Sequence, residues 1–424
     1  MKINELKKLI TEGGLEKHSA LYSDVSAQKD RFIKALCAFE KKYGSERDVF
    51  VLSVPGRSEI IGNHTDHNNG KVMAGAINRD IIAIAAKNND NVIRFYSEGY
   101  PEDSISIADT ATADKFRKFT SRALVAGMAN AFVKGGHEVG GFDAYSTTEV
   151  LKGSGLSSSA AFEVMVGNIL NHLYNGGAVD NKEIAKYAQY SENVYFGKPC
   201  GLMDQMACAV GGFVYIDFEN PKNPTVEPIE FSLKDKGYSL CIVNTGGNHA
   251  NLNADYASVP AEMRAAAAAM GRQVLRGAFE EEIIKNAEKI RKAAGDRAFL
   301  RAIHFVRENV RVEEAKGALL SGDLDGFFDT LIASGNSSFR YLQNVYTNQN
   351  PAEQGLSVAL ALTEGYLADK GGAFRVHGGG FAGTIQAFVA NEDVAGFKAT
   401  LDSAFGEGAT TVLKVRPYGA IRIE

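Results

Sequence analysis

Short apolar runs of strand length alternate along this chain with longer stretches of helical periodicity. After an amphipathic start, MKINELKKLITEGG, the run VFVLSV (49–54) predicts a short buried strand. Apolar and β-branched residues continue from Val72 to Ala86, and VIRFYS (92–97) alternates with period two, so the first hundred residues predict an antiparallel meander. A helix is expected over 115–134, closed by the Gly-Gly turn at 135–136. FDAYSTTEVL (142–151) reads as a strand, AAFEVMVGNILNHLY (160–174) as a helix, and NKEIAKYAQYSENVYF (181–196) as a second helix. GGFVYIDF (211–218) predicts a strand opening a second domain, and YSLCIVNT (238–245) another strand. Residues 260–347 are helical in pattern throughout, with the alanines 265–269 on a packed helix; the tail alternates strand, helix and strand, ending at TVLKVRPY (411–418). No repeat, low-complexity linker or heptad series interrupts this pattern.

A chain of 424 residues exceeds what one core usually serves, which divides it into two expected domains, 1–210 and 211–424, with the boundary near Gly211. With 45% hydrophobic and 23% charged residues the composition is that of a folded, enzyme-sized protein. The net charge is −5, with no run of like charge long enough to be a binding tail, which argues against a nucleic-acid surface. Neither a signal-peptide pattern nor an apolar run of membrane-spanning length occurs, and Cys37, Cys200, Cys208 and Cys241 form no CxxC; a cytoplasmic protein with reduced thiols is expected, fitting a monomer or a homo-oligomer alike. Glycine is in excess, 44 residues, clustered at 153–155, 211–212, 246–247 and 378–380. Such clusters mark close backbone approach or positive φ.

Two stretches carry candidate chemistry. GRSEIIGNHTDHNNG (56–70) crowds His64, Asp66 and His67 between glycines. The residue types suit zinc or iron, but histidines three apart in a Gly/Asn-rich stretch are not a helical ligand pair. A polar turn after a buried strand, or a surface that binds sugar hydroxyls, are the other readings. KGSGLSSSAA (152–161) lacks the Lys-Ser/Thr of a Walker A loop; Ser158 stands where a dinucleotide fingerprint has its third glycine; and neither H-R-D nor D-F-G accompanies it. What remains is Gly153, Gly155, Ser157, Ser158 and Ser159 leading into a helix, able to wrap polyphosphate with backbone amides and to offer Mg²⁺ a hydroxyl, or simply to cap the helix.

PGRSEIIGNHTDHNNG, KGSGLSSSAA and HGGGFAGT, in that order, resemble the three motifs of the GHMP small-molecule kinases, and among these the galactokinases. GKPCGLMDQ, the Tyr of NADYASVPAEM, RAIHFVRENVRV and SGNSSF extend the resemblance over nearly the whole chain. It implies an α+β, two-lobed GHMP kinase fold, with a ribosomal-S5-like N-terminal lobe and a ferredoxin-like C-terminal lobe. It also implies transfer of the γ-phosphoryl of ATP to the anomeric hydroxyl of galactose. By the same resemblance Asp204 matches the catalytic Asp and Arg57 the arginine facing it. Ser158, with Ser159 as the nearby alternative, and Glu192 would hold Mg²⁺. Asn63, His64, Asp66, His67 and Tyr256 would bind the sugar, and Gly379 and Gly380 would close over the phosphates.

The family pattern breaks mainly in the first motif, where its Asn is Glu59, its Glu is Asn63 and its Tyr is His67; in the third, its Thr is His377 and a Gly is Ala382. Loss of the carboxylate at Asn63 removes an electrostatic barrier of roughly 4 kcal/mol against a uronic acid, so galacturonate or another modified galactose is the alternative substrate. A sensor that binds sugar and ATP without turnover is the alternative of another class. Retention of Asp204, Arg57 and Glu192 favours an enzyme.

Overall fold

Because β1 (Phe50–Ile61) and β2 (Lys71–Lys87) carry buried residues at consecutive positions, both faces of their sheet require cover. Our computed structural model describes residues 1–22, 24–150, 155–198, 200–247 and 252–424. The remaining strands are β3 (Val92–Ser97), β4 (Asp103–Ser106), β5 (Phe142–Thr148), β6 (Phe213–Asp217), β7 (Thr225–Ile229), β8 (Tyr238–Asn244), β9 (Ala373–Val376), β10 (Thr384–Ala390), β11 (Thr410–Leu413) and β12 (Ile421–Arg422). An eight-stranded sheet runs β12-β1-β2-β5-β3-β4, with β6 and β7 continuing from β2. One face packs Val51, Ile82 and Ile84 against the helices Ile3–Thr11 and Val25–Tyr43. The other packs Leu52, Ala83 and Ala85 against Ser121–Lys134 and Ser158–Tyr174. The alternation along IIAIAA thus serves two cores.

The second sheet has four strands in the order β11-β8-β10-β9, all antiparallel. With helices between β8 and β9 and between β10 and β11, this is the split β-α-β arrangement of a ferredoxin-like lobe. The helix Asn253–Ala269 buries Ala266 and Ala267, as its alanine run predicts.

Several sequence expectations are corrected. The first hundred residues do not form a meander: β5 lies between β2 and β3 and pairs with β3 in parallel. The helix expected from 115 begins at Ser121, after Thr120, whose hydroxyl accepts from the Ala123 amide. The strand 213–217 does not start a second sheet; it pairs with the outer half of β2, so the expected boundary near Gly211 precedes two strands of the first sheet. The 260–347 stretch is helical as expected, in several helices, but β11 is not the last strand, because β12 returns to pair with β1. No described helix is long and apolar enough to cross a membrane.

Candidate active site

β1 and β2 change register between Pro55 and Arg57 and again between Glu59 and Ile61. Such irregularities re-aim side chains, and here they flank the candidate arginine. Gly56 is required at the first one, since a Cβ there would lie 2.7 Å from the Leu156 carbonyl oxygen. That contact seats the loop before the 158–174 helix on β1, and the Arg57 amide donates to the same oxygen at 3.1 Å. The Arg57 side chain then forks onto Asp204, Nε to Oδ1 at 2.7 Å and Nη2 to Oδ2 at 2.8 Å, while Nη1 donates to the Gly155 carbonyl at 2.6 Å.

Asp204 lies in the first turn of the helix Met203–Val210, where an anion is favoured by the exposed amides. The Ser157 hydroxyl also donates to its Oδ2. Burial acts to raise the Asp204 pKa, but the Arg57 charge, the bonds from Arg57 and Ser157, and the Lys198 charge outweigh it and hold the carboxyl below its usual range. Its side chain keeps 33% of its surface open against 9% for Arg57, so the carboxylate is the more accessible of the two.

The two serines differ in their surroundings. Ser158 is the first residue of its helix, following Ser157 in left-handed conformation with φ 58°. Ser159 Oγ lies 3.5 Å from Glu192 Oε1, so Ser159, rather than Ser158, shares a side-chain contact with the expected metal carboxylate. Glu192 sits on a π-helical turn, Ser191–Phe196, which interrupts the expected continuous helix and turns the carboxylate inward. Gln205 Nε2 donates to Glu192 Oε2 at 2.8 Å and to Glu163 Oε2 at 3.4 Å, and Lys198 Nζ lies 3.2 Å from Glu192 Oε1. Burial, then the Glu192 charge, pushes the Glu163 pKa well up. Glu163 Oε1 is buried without a hydrogen-bond partner. The Ser159 hydroxyl and the Glu192 carboxylate, with the unused Glu163 Oε1 beside them, are hard oxygen donors of the kind Mg²⁺ takes. Lys198, Gln205 and Glu163 were missed by sequence reasoning, although Gln205 closes the quoted GLMDQ and Glu163 lies one turn beyond the serines. Gly153 lies outside the described residues.

The sugar loop is held from behind by the helix Asp296–Ser321, the RAIHFVRENVRV segment to which sequence reasoning attached no role. Glu308 Oε1 accepts from the Gly62 amide at 3.1 Å, Asn309 Oδ1 from the Lys71 amide at 2.7 Å, and His304 Nε2 donates to the Asn63 carbonyl at 2.9 Å. From the other side the third motif closes on it. The carbonyls of Gly378, Gly379 and Gly380 accept from Asn63 Nδ2 at 2.6 Å, His64 Nε2 at 2.9 Å and the Tyr256 hydroxyl at 2.9 Å. A Cβ on Gly379 would lie 2.6 Å from the Tyr256 ring. The amides of Gly379 and Gly380 donate to no described residue, which leaves them available to an anion.

His64, Asp66 and His67 therefore gather at one place: the His64 and His67 rings are 6.0 Å apart, His67 Nε2 is 3.6 Å from Asp66 Oδ1, and a Cβ on Gly201 of GLMDQ would meet Asp66 at 2.5 Å. Burial lowers the His64 pKa to about 4, so it is a neutral donor at pH 7. Among the described residues no cluster of three or more His, Cys, Asp or Glu could hold a metal ion. Asn63 departs from expectation. It is fully buried, and its amide makes four hydrogen bonds: Nδ2 to Glu59 Oε1 at 2.9 Å and to Gly378, Oδ1 from Asn344 Nδ2 at 2.7 Å and from Ser338 Oγ at 3.4 Å. That is the full capacity of an amide, and no donor or acceptor remains for a sugar.

Comparison with known proteins bears on this arrangement. The galactokinase galactose-binding signature matches residues 38–87, and the GHMP kinase N-terminal domain matches 123–212. The galactokinase of Streptomyces coelicolor is 32% identical over 91% of this chain and 96% of its own. This chain belongs to the galactokinase family. Another member, from Lactococcus lactis, is 31% identical over 87% of this chain and 90% of its own. The structure of a Lactococcus lactis galactokinase complexed with galactose covers 92% of this chain and all of its own, with a TM-score of 0.78 and 27% identity. A mevalonate kinase, at TM-score 0.60 and 13% identity, shares the GHMP kinase fold alone. In this galactokinase-family chain the two matched segments meet where Arg57 of the first bonds Asp204 of the second.

Proposed function

We propose that this chain is an ATP-dependent galactose 1-kinase acting in the cytoplasm. The observation that carries the reading is the Arg57–Asp204 fork, whose carboxylate is held ionised and stays partly open. Asp204 accepts the proton of the anomeric hydroxyl as that oxygen bonds the γ-phosphorus and the bond to the β–γ bridging oxygen breaks, leaving galactose 1-phosphate and ADP. Arg57 keeps Asp204 deprotonated before the step and offsets negative charge beside the transferring group. The 158–174 helix N-terminus and the open amides of Gly379 and Gly380 flank the place for phosphates. Ser159 and Glu192, backed by Glu163, would hold Mg²⁺, which when bound neutralises phosphate charge. His64, Asp66, His67 and Tyr256 supply the directional polar groups a sugar requires. A sensor without turnover is disfavoured by the intact Arg57–Asp204–Glu192 set.

The test is ADP release on mixing the purified chain, Mg-ATP and galactose, with the product identified by phosphorus NMR. Galactose 1-phosphate formed in step with ADP is expected. Binding of ATP and galactose without turnover would overturn the enzymatic reading.

A further inference from the structure

The carboxylate absent at Asn63 stands four residues earlier. Asn63 Nδ2 donates to Glu59 Oε1 at 2.9 Å, so the two side chains share one place with their chemistry exchanged. Asn63 has spent every donor and acceptor on the protein, whereas Glu59 has not. Its Oε2 takes no hydrogen bond from any described residue, and the side chain keeps 9% of its surface open. Glu59 stands two residues from Arg57 on β1, where burial pushes its pKa up against the opposing charges of Arg375 and Arg57. Among the described residues its one close cation is Arg375, 3.6 Å away, whose Nε and Nη2 make no hydrogen bond there. A nearly buried carboxylate with one weakly engaged cation and an idle oxygen is incomplete, and a hydroxyl donor completes it at least cost.

We propose that Glu59, and not Asn63, is the specificity-determining side chain of the sugar pocket: its free oxygen accepts from a hydroxyl of a neutral hexose and excludes a hexuronic acid. The inference rests on the kinase reading above for the identity of the sugar. It removes the case for galacturonate drawn from Asn63 alone, because the acidic charge has moved within the pocket and has not been lost. A second carboxylate brought against Glu59 meets repulsion and offers no proton, so discrimination of at least about 100-fold is expected.

The experiment compares galactose with galacturonate on the full-length protein, by kcat/KM with Mg-ATP and by calorimetric binding of each sugar. Wild type should favour galactose at least about 100-fold in both measurements, and Glu59→Gln should narrow that ratio at least about tenfold, mainly through binding. Equal handling of the two sugars by wild type overturns the inference without any variant, which covers the case of a poorly folding Glu59→Gln. An unchanged ratio in a folded Glu59→Gln overturns it as well. If wild type transfers no phosphoryl group but binds galactose selectively, and Glu59→Gln abolishes the selectivity, the kinase reading falls and the role of Glu59 stands; if neither sugar binds, both fall.

Discussion

Replacing Asp204 by Asn isolates the charge of the carboxylate from its shape. In the native site Asp204 accepts two hydrogen bonds from Arg57 and one from Ser157. An amide must turn its NH2 toward one of these donors, so at least one bond becomes a donor–donor contact, and no arrangement leaves a base for the anomeric proton. General-base catalysis contributes about 10²- to 10⁴-fold, or about 3–5 kcal/mol at 1.36 kcal/mol per decade. Breaking a buried ion pair costs about 3–5 kcal/mol. Asp204 is a third open, so the stability loss is expected nearer 1–2 kcal/mol, partly compensated by water at the exposed edge. Arg57 loses its counter-charge and gains freedom toward phosphate, so Mg-ATP should bind as tightly as before or more so. Coupled ADP release, nucleotide calorimetry and a urea titration read the three quantities separately. A variant within tenfold of the native kcat would refute the assignment of Asp204 as the base, and weakened nucleotide binding would refute the placement of Arg57 beside the phosphates.

Glu192→Gln should raise the Mg²⁺ concentration needed for half-maximal rate and weaken direct Mn²⁺ binding, while the galactose KM stays put; a change confined to the sugar KM would move the metal elsewhere. Asn63→Ala deletes four buried hydrogen bonds and should lower the unfolding free energy by about 3 kcal/mol or more, whereas a variant of near-native stability with a raised galactose KM would return Asn63 to the sugar site. Stability should fall between about pH 6.5 and 4, because burial lowers the folded-state pKa of His304 from 6.5 to about 4 and that of His377 to about 3. Across that window the unfolded chain binds more protons than the folded one, at a cost of roughly 3 kcal/mol for each such histidine; equal urea midpoints at pH 7 and pH 5 would contradict it.

What the sequence determined by itself was local. Strands β1, β2, β3, β5 and β8 and the 158–174 helix follow from periodicity, because burial on one or two faces imprints a short-range pattern. Ordered motifs named the Arg57 and Asp204 pair and the Glu192 carboxylate 12 positions before it, since those side chains are set by loops whose chemistry is written in consecutive residues. Pairing between strands was not legible. The meander expectation failed because β5, about fifty residues on, competes for the edge of β2, and β6 joined the first sheet because the outer half of β2 offers it an unpaired edge. The contact of Ser159 with Glu192 required a π-helical turn that no periodicity signals. Above all, the saturation of Asn63 depended on hydrogen bonds with Gly378, Asn344 and Ser338, more than 270 positions away in sequence. A residue's type states what bonds it can make. Only its tertiary neighbours decide which of those bonds are already taken, and therefore what remains for a ligand.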